Sequence, residues 1–309
     1  GIPEFYSVRM VIVDDDVAAA AGIDPADLST GDWQEISDAA VAMYAAESGN
    51  VSTIGYDPKI PEFLPLWAMA NGAALMNEDG TEATLDDPAV VEALEYTAQL
   101  VEDQGGWGAF KAFRDTWDFF GANNQYASDQ LGAMPMEDWY LNVLAESSPD
   151  APITVVPFRD VNGDPLTYAT GSAWAIPDGA ANPAAACEFM RVMTSVEAWV
   201  AAAEARVEAR TAENLPYTGT YTGNEAADEA IFADVYEPSG NAALDAAVEV
   251  VLEVQEFAFS MPPSPAAAEV DQAWQDAAQR VLNGEQTAAE ALAQAQEQAE
   301  AALAQAAAG

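Results

Sequence analysis

The sequence predicts an α/β fold with a mainly parallel sheet. Three observations carry that expectation. Short β-branched apolar runs alternate with longer stretches of helical periodicity, several junctions between them are short, and helix outweighs strand along the 309 residues. No fixed-period repeat interrupts the alternation.

Residues 8–13, VRMVIV, form a continuous apolar run suited to a buried strand. Asp14, Asp15 and Asp16 follow and open an Ala-rich helix that stops near Gly22. Their carboxylates complement the positive end of the helix dipole and are expected to be solvated. Asp32 and Glu35 sit at N-cap and N3 of the next helix, with Ile36, Ala40, Met43 and Tyr44 recurring behind them. Residues 71–88 read as a loop and a short strand that turns at Asp79-Gly80. Asp87 before Pro88 places an N-cap ahead of proline at N1. The helix that follows carries Val91, Leu94, Ala98 and Val101 on one face and ends at Gly105-Gly106. An aromatic-rich stretch then runs from Trp107 to Trp139.

Residues 152–158 and 171–177 are strand candidates, the first leading into a turn at Asn162-Gly163. Asn182-Pro183 opens a helix bearing Ala186, Met190 and Met193, and Ser195 caps another with Trp199 and Ala203 inward. Residues 215–223 are turn-rich. A long helix is expected over roughly 241–259, ahead of Pro262-Pro263. Val270, Trp274, Val281 and Leu282 mark an amphipathic helix that stops at Asn283-Gly284, and Thr287 with Glu290 caps the Ala/Gln/Glu tail, 291–308.

Charge excludes several functions. Asp and Glu total 52 against 9 Lys and Arg, a net charge of −43. Such a polyanion has no field to hold phosphate backbones or anionic membranes, so no nucleic-acid partner is expected. With no histidine there is no Ser-His-Asp or Cys-His catalysis. A single cysteine, Cys187, supplies neither a zinc site nor an internal disulfide, and its apolar neighbours suggest a small buried hydrophobe. The 8 Trp, 11 Phe and 10 Tyr argue for a packed globule rather than a disordered acidic chain. No uncharged apolar run approaches the roughly 18 residues of a membrane span. There is no phosphate-binding loop or dinucleotide fingerprint, and no cofactor is expected. The start at Gly1 reads as the interior of something, so the chain is expected to be a mature or truncated piece.

Aromatic residues cluster near expected loop ends: Trp67, Trp107, Trp117, Trp139, Tyr140, Tyr168 and Trp174. Flat ring faces stack on sugar rings, while nearby carboxylates and amides bind hydroxyls; core packing is the alternative for each. Trp139 stands out because Glu137 and Asp138 precede it and Tyr140 follows. Glu137 and Asp138 could form a general acid/base pair, but neighbours on a strand point to opposite faces. Residues 160–164, DVNGD, resemble a calcium loop in composition only; glycine is at the fourth position and no glutamate closes the loop, so a hairpin turn is expected.

Taken in order, several segments resemble the extracellular solute-binding proteins of ABC importers, in the sugar-binding group related to maltose-binding protein. These are MVIVDDDVAAAAGIDP at 10–25, DWQEI at 32–36, the stretch 67–88, Gly132-Ala133-Met134 with Trp139, the stretch 168–195, and Gly284 with 287–292. The resemblance implies a periplasmic-binding-protein-like type II fold, two lobes with discontinuous crossovers, the first part of the N-terminal lobe absent. It implies that residues 1–11 are the hinge crossing, 12–168 the second lobe, 171–236 the returning part of the first lobe, and 238–309 the second lobe's C-terminal helices. Ligand contacts carried over are Trp139 (or Tyr140 in an alternative register), Phe63 or Trp67 ahead of Asn71, and Tyr168, Gly171, Ser172 and Trp174 along the crossing strand, with Glu137 and Asp138 beside them.

The implied function is capture of a carbohydrate, an oligosaccharide, and its delivery to the membrane permease subunits of an ABC importer. The protein would be a non-enzymatic monomer, extracytoplasmic, in the periplasm or on the cell surface as a lipoprotein. A neutral sugar suits the overall charge better than an anion. The alternatives are a secreted glycan hydrolase using Glu137 or Asp138, a binding protein for a polyamine or glycerol phosphate, and a stalk without ligand. Three departures from the family pattern stand out: Asp14–Asp16 in place of Asn-Lys-Asp, Thr170-Gly171 in place of a double glycine, and Asp178 in place of lysine. The acidic replacements suit a salt-adapted surface, and the piece alone is expected to bind weakly or not at all.

Overall fold

The computed structural model describes residues 1–308. β1 (Ile2–Ser7) leads into β2 (Arg9–Asp14), which is buried along its whole length as its apolar run requires. α1 (Asp15–Ala20) and α2 (Trp33–Met43) follow, then the hairpin of β3 (Ala45–Glu47) and β4 (Asn50–Tyr56). α3 (Leu64–Ala70), α4 (Pro88–Glu102) and α5 (Trp107–Arg114) cross over to β5 (Leu131–Glu137). After α6 (Tyr140–Ser147), β6 (Ile153–Val156) completes a five-stranded sheet in the order β3-β4-β5-β2-β6.

That sheet is mixed, which corrects the expectation of mainly parallel strands. Only β4 and β5 run parallel, while β2 is antiparallel to both β5 and β6. The reason is topological. The helices between β4 and β5 form a true crossover, which makes their strands parallel. β2 instead enters from β1, which lies outside the sheet, so no crossover sets its direction.

The chain leaves this sheet through β7 (Thr167–Tyr168) and β8 (Thr170–Trp174), and β8 pairs antiparallel with β1. α7 (Pro183–Met193), α8 (Val196–Glu213) and α9 (Glu225–Asp234) pack beyond that ribbon. α10 (Ala242–Gln255) returns, β9 (Ala258–Phe259) pairs parallel with β7, and α11 (Ala267–Leu282) and α12 (Ala288–Ala308) close the chain. The helix expected to reach 259 ends at Gln255, because Ala258 and Phe259 are drawn into the β7 pairing. One hydrophobic cluster takes all its fully buried members from 8–168 and 244–303. Met190, Ala203, Tyr217, Ala227 and Ile231 are buried apart from it.

Local chemistry sets the helix starts. Asp32 accepts from the backbone N–H of Gln34 and Glu35, and Asp87 accepts from that of Ala89 with Pro88 at the first helical position. α7 departs from expectation. It is covered on one side only, and Met190 is its single buried residue. Cys187, expected to be buried, is therefore exposed, as is Met193.

Asp14 also departs. It caps α1 through Oδ1, which accepts from the N–H of Asp16 and Val17 at 3.0 Å each. It is fully buried rather than solvated, and its Oδ2 has no partner among the described residues. Burial pushes its carboxyl from 3.8 up to about 7, against the pull of the two backbone donors. A raised carboxyl favours folding while protonated. That contribution is complete below the unfolded value near 4 and is lost as pH rises through about 7. Asp14→Asn keeps the cap and removes the buried charge. Its expected effect at pH 8 is stabilisation of about 2 kcal/mol, which disappears by pH 4. Thermal unfolding at both pH values measures it; equal destabilisation at both would show that the carboxylate is not penalised in the fold.

Candidate functional site

The carboxyl end of β5 meets the start of β2, where Glu137 and Arg9 are register partners. The two chain crossings, Ser7–Arg9 and Tyr168–Thr170, pass over this point. Arg9 ties them together. Its Nη1 donates to the carbonyls of Ser7 and Tyr168 at 2.9 Å, and its Nη2 donates to Thr170 Oγ1 at 2.7 Å. Its guanidinium lies 5.0 Å from the Phe63 ring centroid and 4.9 Å from that of Tyr168. Thr167 Oγ1 accepts from the Arg9 N–H and donates to the Arg9 carbonyl, at 2.6 and 2.7 Å. Burial draws the guanidinium pKa down, and Glu137, with Oε1 at 3.5 Å, opposes that shift.

Glu137 and Asp138 point to different partners. Asp138 is buried, accepts from Ser7 Oγ at 2.5 Å, and is pushed up to about 6 by burial. Glu137 turns to Arg9, and its Oε2 is buried without a partner among the described residues. The hydrogen bonds of Asp138 are all directed into the protein, so the geometry forms no acid/base pair facing a common substrate.

Trp139 opens α6 and is 37% exposed. The Phe120 ring lies near parallel to it, with centroids 6.2 Å apart, planes 18° apart and Phe120 68% exposed. Phe119 joins them, 6.5 Å from Trp139 and 5.1 Å from Phe120. Three aromatic side chains thus make a partly exposed surface, and Trp139 within it lies two residues along the chain from Glu137. Phe119 and Phe120 lay within the aromatic-rich stretch read from sequence, but nothing in the sequence separated them from their neighbours.

The other expected site residues divide. Tyr140 is fully buried, donating from its hydroxyl to the Phe119 carbonyl at 2.7 Å, so it supports the aromatic surface and does not form part of it. Trp67 is also fully buried: Nε1 donates to the Pro58 carbonyl at 2.9 Å and Phe158 meets it edge-on at 5.0 Å. No face of Trp67 is open to a ligand here, because α3 packs it inward against Tyr56 and Trp33. Asn71 braces α4 by donating to the Ala89 carbonyl and Glu92. Phe63 and Tyr168 are buried and flank Arg9. Tyr168 also stacks on Phe259 at 5.3 Å.

On β8, Ser172 is exposed and donates to Glu4 at 2.6 Å, and Trp174 is half-buried with its ring edge-on to Phe189. Gly171 must lack a side chain, since a Cβ there would lie 2.0 Å from the Phe5 carbonyl oxygen. The 160–164 segment is the expected turn, with Asp160 Oδ1 accepting from Asn162 and Asp164. A groove of about 700 Å³ between α4, α5 and the α11–α12 corner shares no residue with the aromatic surface.

The family model of the bacterial extracellular solute-binding proteins matches residues 1–208. No curated protein matches the chain. Solved structures share the fold. The mannobiose complex of CpMnBP1 aligns over 97% of this chain and 71% of its own length, at 20% identity and a TM-score of 0.76. An ABC transporter solute-binding protein from Thermotoga lettingae bound with α-D-tagatose aligns over 98% and 72%, at 20% identity and 0.71. An ABC substrate-binding protein from Listeria monocytogenes in complex with cycloalternan aligns over 98% and 71%, at 21% identity and 0.67.

Proposed function

This chain belongs to the bacterial extracellular solute-binding protein family, and from that premise we propose that it captures an oligosaccharide on the Trp139 surface and hands it to the permease subunits of an ABC importer. One observation carries the ligand class. Trp139 and Phe120 present near-parallel, partly exposed rings, and two residues before Trp139 a carboxylate oxygen of Glu137 has no partner among the described residues. Stacked rings suit the C–H faces of a sugar, and a lone acceptor suits a sugar hydroxyl. The sugars named in the solved relatives agree with this reading.

Residues 12–168 and 238–309 form one lobe in this proposal, 171–236 belong to the other, and 1–11 are part of the hinge. The exclusion of 171–236 from the buried members of the main hydrophobic cluster supports that division. Arg9 then pins both hinge crossings, and ligand bridging the lobes shifts the population towards a closed form. In this reading the protein acts as a monomer outside the cytoplasm, in the periplasm or on the cell surface as a lipoprotein. No proton transfer is required, so the absence of histidine is no handicap.

A thermal-shift panel of manno- and malto-oligosaccharides, polyamines and glycerol phosphate on the full-length protein tests the ligand class. An oligosaccharide at 100 times its Kd stabilises by about 2.7 kcal/mol, a rise of roughly 5–10 °C. Stabilisation by amines or phosphate esters alone would overturn the assignment.

A further inference from the structure

Building on the sugar-binding reading, we propose that Lys59 makes the Trp139 surface selective for an acidic oligosaccharide, its charge carried by a carboxylate or a sulfate ester. Lys59 follows β4 and reaches the aromatic surface. Its Nζ lies 5.7 Å from the Phe119 ring centroid, and Phe119 contacts both Phe120 and Trp139. It also lies 5.4 Å from the Phe63 centroid, the ring that Arg9 approaches at 5.0 Å. Two cations therefore share the Phe63 ring.

The charge on Lys59 is not balanced within the protein. Among the described residues no carboxylate oxygen lies within 4 Å of its Nζ, although acidic residues outnumber basic ones 52 to 9. The nearest acidic residue in sequence, Asp57, is committed elsewhere: it pairs with Arg114 at 3.4 Å and accepts from the Lys59 backbone N–H at 2.8 Å. Glu137 is paired with Arg9. The Lys59 backbone is held at φ 58, in the left-handed region, where a lysine needs local restraint. In so acidic a chain a carboxylate partner was easily available, yet the structure keeps this ammonium free beside the stacking surface.

The overall charge of −43 argues for a neutral ligand at low ionic strength. At about 1 M salt the screening length is about 3 Å, so distant carboxylates lose their influence and a cation in direct contact decides. Local geometry then outweighs net charge.

The test is calorimetric titration of the full-length protein at high salt with uronate trimers, sulfated trimers, and carboxyl-reduced counterparts of the uronates. Variants are Lys59→Met, which keeps the stem over the rings, and Lys59→Arg, which keeps the charge. The expected result is about tenfold tighter binding of at least one acidic trimer than of its neutral counterpart. Lys59→Met abolishes that preference and leaves neutral binding unchanged, whereas Lys59→Arg retains it. A uronate-only or sulfate-only preference identifies which acidic group is read. Equal or tighter binding of the neutral trimers, or equal weakening of both ligands in Lys59→Met with its melting temperature unchanged, overturns the proposal but not the sugar reading. Failure of every sugar to bind while another ligand binds overturns both.

Discussion

Trp139→Ala in the full-length protein lowers oligosaccharide affinity about 10- to 60-fold and moves the melting temperature by less than about 3 °C. The magnitude follows from area. One face of a tryptophan is roughly half of the 150–250 Å² such a ring buries, and covering it at about 20 cal/mol per Å², the lower end of the usual range, is worth about 1.5–2.5 kcal/mol. The small effect on stability follows from exposure, since Trp139 already faces solvent over 37% of its surface. Trp139→Phe keeps a stacking face and retains most of the affinity. Tyr140→Ala, one residue away, does the opposite. It removes a fully buried ring whose hydroxyl joins the Phe119 carbonyl and Gln125. It therefore costs about 3–5 kcal/mol of stability, and any loss of binding comes through the displaced Phe119. Titration calorimetry with parallel thermal unfolding separates the two. Unchanged affinity in Trp139→Ala would remove this surface as the ligand site.

The contrast between Trp139 and Trp67 shows where the sequence stops being informative. Both lie near an expected loop end, and both match the family pattern. Exposure depends on what folds over each one. Trp67 is enclosed by Phe158, Tyr56 and Trp33, which come from three other segments, and no local pattern reports that. Helix starts were readable because a cap is local chemistry: Asp32 and Asp87 act on N–H groups two or three residues away. Strand direction was not, since β2 owes its orientation to a partner, β5, more than a hundred residues later. Arg9 is the clearest case. It sits within the run read as a buried apolar strand, where nothing local marks it out, yet its partners include Tyr168 and Thr170, about 160 residues on. Those bonds make it the tie between two crossings. Asp14 was misread for a related reason: its capping role is local, but its burial is imposed by the sheet.

Raising salt from 0.1 to 2 M increases the melting temperature by at least about 10 °C. The cause is the charge of −43 carried by 309 residues. Compact folding brings like charges together, and this self-repulsion opposes the native state. The screening length falls from about 10 Å at 0.1 M to about 3 Å at 1 M, which removes most of the repulsion between charges that are not in contact. Internal neutralisation is scarce. The described residues contain five ion pairs, and two of these, Lys111 with Asp115 and Arg191 with Glu188, are exposed helical neighbours of small individual value. Replacements such as Asp178, exposed where the family pattern has lysine, add to the charge without adding a partner. Salt also acts on the proposed binding surface. By suppressing the general field it allows Lys59 and Arg9 to set the local potential, so stability and acidic-ligand affinity are expected to rise together between 0.1 and 1 M. A scan with sodium chloride alongside an uncharged osmolyte at matched osmolarity distinguishes screening from exclusion. A melting temperature equal at both salt concentrations, or raised as much by the osmolyte, would show that charge repulsion does not limit this fold.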